Sequence, residues 1–117
     1  MDPRAWDVIE SEPMTDKITR QVTHGRMGTV ARFHLARHAL VIRHSHPAEQ
    51  FSHVVQGKLR FRFDDREVIV GAGEILTIPP NVPHAAEAIE DTIVFDFFAP
   101  RREDWIRKED GYLRQKN

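Results

Sequence analysis

The sequence predicts an all-β protein, a sandwich or barrel built from about eight or nine short strands. Three observations predict it. Apolar and polar residues alternate with period two over short runs, and turn-forming residues recur between those runs. No stretch of helical periodicity separates the strands, which excludes a parallel βαβ arrangement. The 117 residues are enough for one domain with a core of its own.

Taken in order, residues 1–17 carry Pro3, Pro13 and many charges, with Trp6, Val8 and Ile9 as apolar anchors. They read as an extended N-terminal arm packing on the body or on a partner subunit, with Trp6 a candidate for a subunit interface. The barrel is expected over 18–100. Thr29 to Leu35 alternates, with Ala31, Phe33 and Leu35 on one face, and Ala39 to Ile42 and Gln50 to Val55 are further runs. Gly57 turns the chain into Lys58 to Phe63, the clearest strand, where Leu59, Phe61 and Phe63 oppose Lys58, Arg60 and Arg62. Asp64-Asp65 makes a hairpin turn into Glu67 to Val70, and Gly71-Ala72-Gly73 turns again into Glu74 to Ile78. A rigid loop, Pro79-Pro80-Asn81-Val82-Pro83, precedes His84 to Ile89, and Thr92 to Phe98 follows. Pro100 closes the β region. Residues 101–117 read as a terminal segment on the barrel, with a short charged helix from Arg101 to Lys108.

Composition narrows the chemistry. Lys and Arg number 17 against 18 Asp and Glu, for a net charge of -1, which provides no basic field for nucleic acid and no polybasic membrane anchor. No apolar run approaches the ~20 residues that span a bilayer, and Met1 to Glu12 lack the apolar stretch of a secretion signal. A cytoplasmic protein is expected. With no cysteine, disulfides, thiolate zinc sites and cysteine nucleophiles are excluded. Seven histidines then supply the remaining strong transition-metal ligands.

His44-Ser45-His46 places two imidazoles at positions that share a face on a strand. Gln50 follows at the same parity, and His84 comes directly after the proline-rich loop. Three neutral nitrogens and an amide oxygen could make a divalent-metal site with open positions. An isolated His-x-His is more often a pair of surface or core histidines, so the evidence lies in the spacing. The acid Glu49 beside Gln50 would become the ligand only if the strand slipped by one residue or bulged.

Taken together these residues resemble the cupin family. Its first motif matches at His44, His46, Gln50 and Gly57, and its second at Gly73, Pro79 and His84. The resemblance implies a cupin-type β-barrel (a double-stranded β-helix, or jelly-roll), a homodimer, and a divalent transition metal held by His44, His46, Gln50 and His84. Zinc, nickel, manganese and iron all suit such a donor set. The departures are His38 and Asn81 where the motifs have glycine, Ala88 for a frequent Asn, and Gln50 for the usual Glu. Asn tolerates positive φ, so Asn81 can preserve its turn. An amide in place of a carboxylate leaves the full charge on the ion, which sharpens its Lewis acidity and departs from the 2-His-1-carboxylate iron site.

Three segments, 44–50, 78–84 and 96–104, are similar to one subgroup, the pectin- and alginate-degradation cupins. Those proteins open cyclic 4,5-unsaturated monouronates into linear ketouronates. The resemblance implies a small anionic substrate, Asp96 as the catalytic proton carrier, Arg102 as a catalytic and carboxylate-clamping residue, and Phe98 as a substrate contact. On the residues alone, Asp96 shares the parity of Thr92, Val94 and Phe98, so one apolar strand face carries a carboxylate. Asp96 capping a turn, and Arg102 as one solvated charge among Arg101, Glu103 and Asp104, are the bland alternatives. An iron-dependent dioxygenase and a non-catalytic cupin binding sugars or small acids are the competing functions. His24, His34, His38 and His53 receive no site role, and Arg60 and Arg62 are expected on a solvated face.

Overall fold

The computed structural model describes residues 1–115; positions 116–117 of the expected terminal segment lie outside the described residues. Ten strands are seen among them: β1 (Glu12–Thr15), β2 (Ile18–His24), β3 (Thr29–Leu35), β4 (Leu40–His44), β5 (Glu49–Gln56), β6 (Lys58–Phe63), β7 (Glu67–Gly71), β8 (Ile75–Ile78), β9 (His84–Ala88) and β10 (Thr92–Ala99). They form two antiparallel sheets, one ordered β1-β2-β3-β10-β5-β8 and the other β4-β9-β6-β7. A short helix, α1 (Glu103–Ile106), and a single 3-10 turn over Gly111–Arg114 follow the last strand. This is the jelly-roll architecture that the alternation and the two motifs predict.

The alternating residues explain the core. On β6, Leu59 and Phe61 are buried while Arg60 and Arg62 pair outward with Glu67 on β7 and Glu87 on β9. Period two thus sorts the strand into an apolar inner face and an ion-paired outer one. Ala31, Phe33, Val54, Ile78 and Val94 from the other sheet meet Leu59 and Phe61 to fill the space between the sheets. Neither arginine of β6 belongs to the ligand cavity.

Turn chemistry is met where the backbone demands it. Gly57 sits at φ 88° between β5 and β6, and a Cβ there would collide with the Asp91 carbonyl and Thr92. Asn81 takes φ 64° in the loop before β9, as expected of an asparagine that replaces glycine. His38, at another glycine position of the motif, also takes positive φ, at 77°.

The N-terminal segment is more integrated than an arm. Residues Glu12–Thr15 form β1 and pair with β2 at the sheet edge. The Gln21 side-chain amide donates to the Trp6 and Ile9 carbonyls at 2.6 and 3.0 Å, and the Trp6 ring packs on Phe95 at 5.6 Å. Trp6 therefore covers the barrel's own outer face.

Candidate metal centre

The elements deliver four donors from both sheets. His44 ends β4 and lies opposite the first residue of β9, His84, so the ladder itself sets these two rings side by side, 4.4 Å apart. His46 is not on the strand. It lies in the crossing from β4 to β5, its carbonyl held by the backbone N–H of Asn81 at 2.8 Å. Gln50 is on β5, in the opposite sheet, paired with Phe98 and Ile78. Shared strand parity therefore does not explain why the donors converge. The crossing between sheets does, and it aims both ends of the motif into the gap. Glu49 pairs with Ala99 one position away, so Gln50 is the inward residue.

Ligand atoms of His44, His46 and His84 all lie within 4.8 Å of one another. Two nitrogens on one ion at about 2.1 Å stand about 3–4 Å apart, so small ring rotations close the set. Each imidazole has its Nδ1 at 2.8 Å from a backbone carbonyl: Ile42 for His44, Ala48 for His46 and Val82 for His84. A carbonyl only accepts, so each ring donates Nδ1–H, and every Nε2 is left with a bare lone pair. Burial, with smaller contributions from neighbouring positive charge, keeps the rings neutral: His44 is lowered to about 3, His84 to about 4, and His46 is lowered as well.

Those lone pairs lack protein donors. His84 Nε2 is buried and has no hydrogen-bond partner among the described residues. His46 Nε2 faces Gln50 Oε1 at 3.0 Å. The Gln50 amide is oriented by its own donation to Ser52 Oγ at 2.8 Å, and Ser52 in turn donates to Asp96 Oδ1 at 2.6 Å. Two acceptors at 3.0 Å repel unless positive charge lies between them. Donors at that separation subtend about 90° at an ion held at about 2.1 Å, an ordinary angle between adjacent ligands. The three histidines could hold a divalent ion, and the amide oxygen fits as the fourth donor.

The remaining predicted residues meet in the same cavity, which holds about 50 Å3 and is lined by His44, His84, Gln50, Asp96, Phe98 and Arg102 together with core residues. Asp96 is buried on the inner face of β10. Burial raises its carboxyl to about 6, against the opposing effects of the Ser52 hydrogen bond and the Arg102 charge. Phe98 meets His46 edge-on at 5.6 Å.

Arg102 is buried too, its guanidinium 4.7 Å from the Phe98 ring centre and 4.3 Å from that of Trp105. The bidentate clamp expected for a substrate carboxylate is already made, to Asp104, through Nε at 3.0 Å and Nη2 at 2.8 Å. That leaves Nη1 as the edge for an anion.

Three residues of the site have no role in the sequence reading. Ser52 was detectable as a polar residue at the inward parity of β5. Tyr112 stacks on His44 with centroids 4.2 Å apart, and Asp104 holds Arg102. Tyr112 has no sequence signal, and Asp104 lies in the similar segment 96–104 without a role there, because both contacts depend on how the terminal segment folds back.

A family model described as a cupin domain matches residues 31–98. Among solved structures, KdgF from Halomonas sp. superimposes with a TM-score of 0.78 at 26% identity, over 85% of this chain and 94% of that one. An RmlC-like cupin from Shewanella frigidimarina gives 0.80 at 26% identity, over 87% and 93%. Oxalate decarboxylase from Bacillus subtilis, described with Mn(II) centres, shares the fold at 16% identity, with a TM-score of 0.73 over 83% of this chain and 29% of that one. A search of curated proteins finds no match.

Proposed function

This chain belongs to the cupin family, and from that premise we propose that it is a metal-dependent isomerase opening cyclic 4,5-unsaturated uronates to linear ketouronates. The observation that carries the proposal is a buried carboxylate, Asp96, sharing one cavity with the His44 and His84 imidazoles, the Gln50 amide and a buried arginine. The similarity to KdgF over nearly the whole of both chains supports the choice of substrate class.

In this scheme Asp96 accepts the proton of the hydroxyl on the anomeric carbon. The ring C–O bond breaks, a carbonyl forms at that carbon, and the electron pair stays on the former ring oxygen as an enolate. The proton returns to the alkene carbon, giving the ketone. Nothing is oxidised or reduced. A carboxyl near 6 is suited to taking a proton and giving it back near neutral pH, a contribution of roughly 10²–10⁴-fold. Arg102 offers Nη1 to the substrate carboxylate, and its fixed place between Phe98 and Trp105 spares the entropy of ordering it. A divalent ion held by His44, His46, His84 and Gln50 would supply positive charge to substrate oxygens. Cytoplasmic location and a homodimer belong to the same proposal; exposed Phe97, Ile75 and Val55, on neighbouring strands of the large sheet, are the apolar candidates for the dimer contact.

The test is elemental analysis of the purified protein, followed by NMR of unsaturated galacturonate. Wild-type protein should yield linear keto signals, and Asp96→Ala should retain the metal and lose turnover. An unchanged spectrum with metal-loaded wild type would refute the activity. Equal rates for Asp96→Ala would remove Asp96 from it.

A further inference from the structure

The cavity at the candidate centre is smaller than the molecule proposed to react there. Its volume of about 50 Å3 is well below that of small-molecule sites, which run to about 300 Å3 and more. A six-carbon sugar acid needs more room than this, and the walls differ in how readily they give it.

The walls are of two kinds. Phe33, Leu35, Leu59, Phe61 and Val94 come from strands locked into ladders, and widening the barrel there would break backbone hydrogen bonds and core packing together. Trp105, Tyr112 and Leu113 come from the segment after the barrel. The backbone amides of Glu103, Ile106, Arg107, Lys108, Glu109 and Leu113 donate to carbonyls within 101–110, inside the terminal segment. Side chains hold its far end to the barrel. Asp110 pairs with buried Arg20 at 2.9 Å, and Leu113 is buried. Tyr112 lies over His44, its hydroxyl oxygen accepting from Arg102 Nη2 at 2.8 Å and Trp105 Nε1 at 3.1 Å. Releasing these few contacts opens the cavity with every strand intact.

We propose that residues 109–114 are a lid over the centre, that Tyr112 is the residue limiting the size of ligand admitted, and that the Arg20–Asp110 pair is the latch. Lid opening exposes the His44 and His84 rings and frees one donor of Arg102 from Tyr112, so a cyclic anion takes the space and the arginine contact that Tyr112 gives up. The identity of that anion rests on the uronate reading above; the gate does not. The competing approach is from a hollow of about 210 Å3 whose lining includes His46, Arg101, Arg102 and Arg107.

Diethyl pyrocarbonate separates the two routes, because it acylates neutral imidazole nitrogens and needs neither metal nor uronate. Metal-free protein would be labelled and resolved by peptide mass spectrometry, with exposed His34 as the internal reference. In the wild type, His44 and His84 should react at least tenfold more slowly than His34. Tyr112→Ala should raise both rates about tenfold or more, and Asp110→Asn, which keeps the ring and loosens the latch, by severalfold. If Tyr112→Ala does not fold by circular dichroism, Asp110→Asn decides. Unchanged His44 and His84 rates in the folded variants, or His46 reacting first regardless of Tyr112, overturn the lid. Uronate turnover measured on the same variants is a separate readout: its absence in the wild type removes the substrate and leaves the labelling result standing.

Discussion

Strands β6 and β10 follow the same alternating rule and put it to opposite uses. On β6 the inward positions Leu59 and Phe61 are wholly apolar, and the charges of Arg60 and Arg62 are met outside by Glu67 and Glu87. On β10 the inward positions run Thr92, Val94, Asp96, Phe98, so a carboxylate is carried into the barrel beside two other aliphatic or aromatic core residues. Stability alone accounts for every residue of β6. It does not account for Asp96, whose ionised form is penalised by burial. Asp96 keeps that penalty in one cavity with the neutral His44 and His84 rings, a cost that packing leaves unexplained.

The contrast can be broken most forcefully by exchanging the two kinds of change. Phe61→Ala should cost about 3–5 kcal/mol of stability, seen as a large fall in thermal midpoint, because the cavity lies among residues that cannot collapse into it. A loss below about 1 kcal/mol would mean that β6 is not the structural strand described.

Asp96→Asn should act in the other direction. The folded carboxyl sits near 6 against an ordinary 3.8. The metal-free fold therefore keeps its full stability below about 3.8 and loses some as pH rises through about 6. Replacing the carboxyl by an amide should recover on the order of 3 kcal/mol at pH 7 and nothing at pH 3.5. Denaturant melts of both proteins at the two pH values measure this directly, and equal stability at pH 7 would show that Asp96 bears no burial penalty.

The smallest effect sharpens the outer face. Arg62→Ala removes a half-exposed member of a surface ion-pair network and should change stability by less than about 1 kcal/mol, with no effect on metal content. A fall in bound metal on elemental analysis would tie β6's outer face to the site after all.

Much of the barrel could be read in advance, and for a local reason. Alternation in Thr29–Leu35, Lys58–Phe63 and Thr92–Phe98 reports which face is buried, since strand side chains alternate whatever the strand pairs with. The loop chemistry at Gly57 and Asn81 is local in the same sense. β1 was less visible because an edge strand interrupted by Pro13 carries little alternation of its own. His46 was placed on a strand by spacing and proved to lie just beyond one; its ring still converges with His44, by way of the crossing between sheets.

The sequence by itself determined the β architecture, the shared strand face of Asp96 and Phe98, and the donor types available in a chain without cysteine. These follow from strand periodicity and side-chain chemistry, which each residue carries with it. The tertiary structure decided the rest: that His44 and His84 face each other across one ladder, that Ser52 links Gln50 to Asp96, that Asp104 takes the fork of Arg102, and that Tyr112 stacks on His44 at the cavity wall. Each of these is a meeting of residues from separate elements, set by sheet order and by the path of the terminal segment, and neither quantity is written in any local pattern.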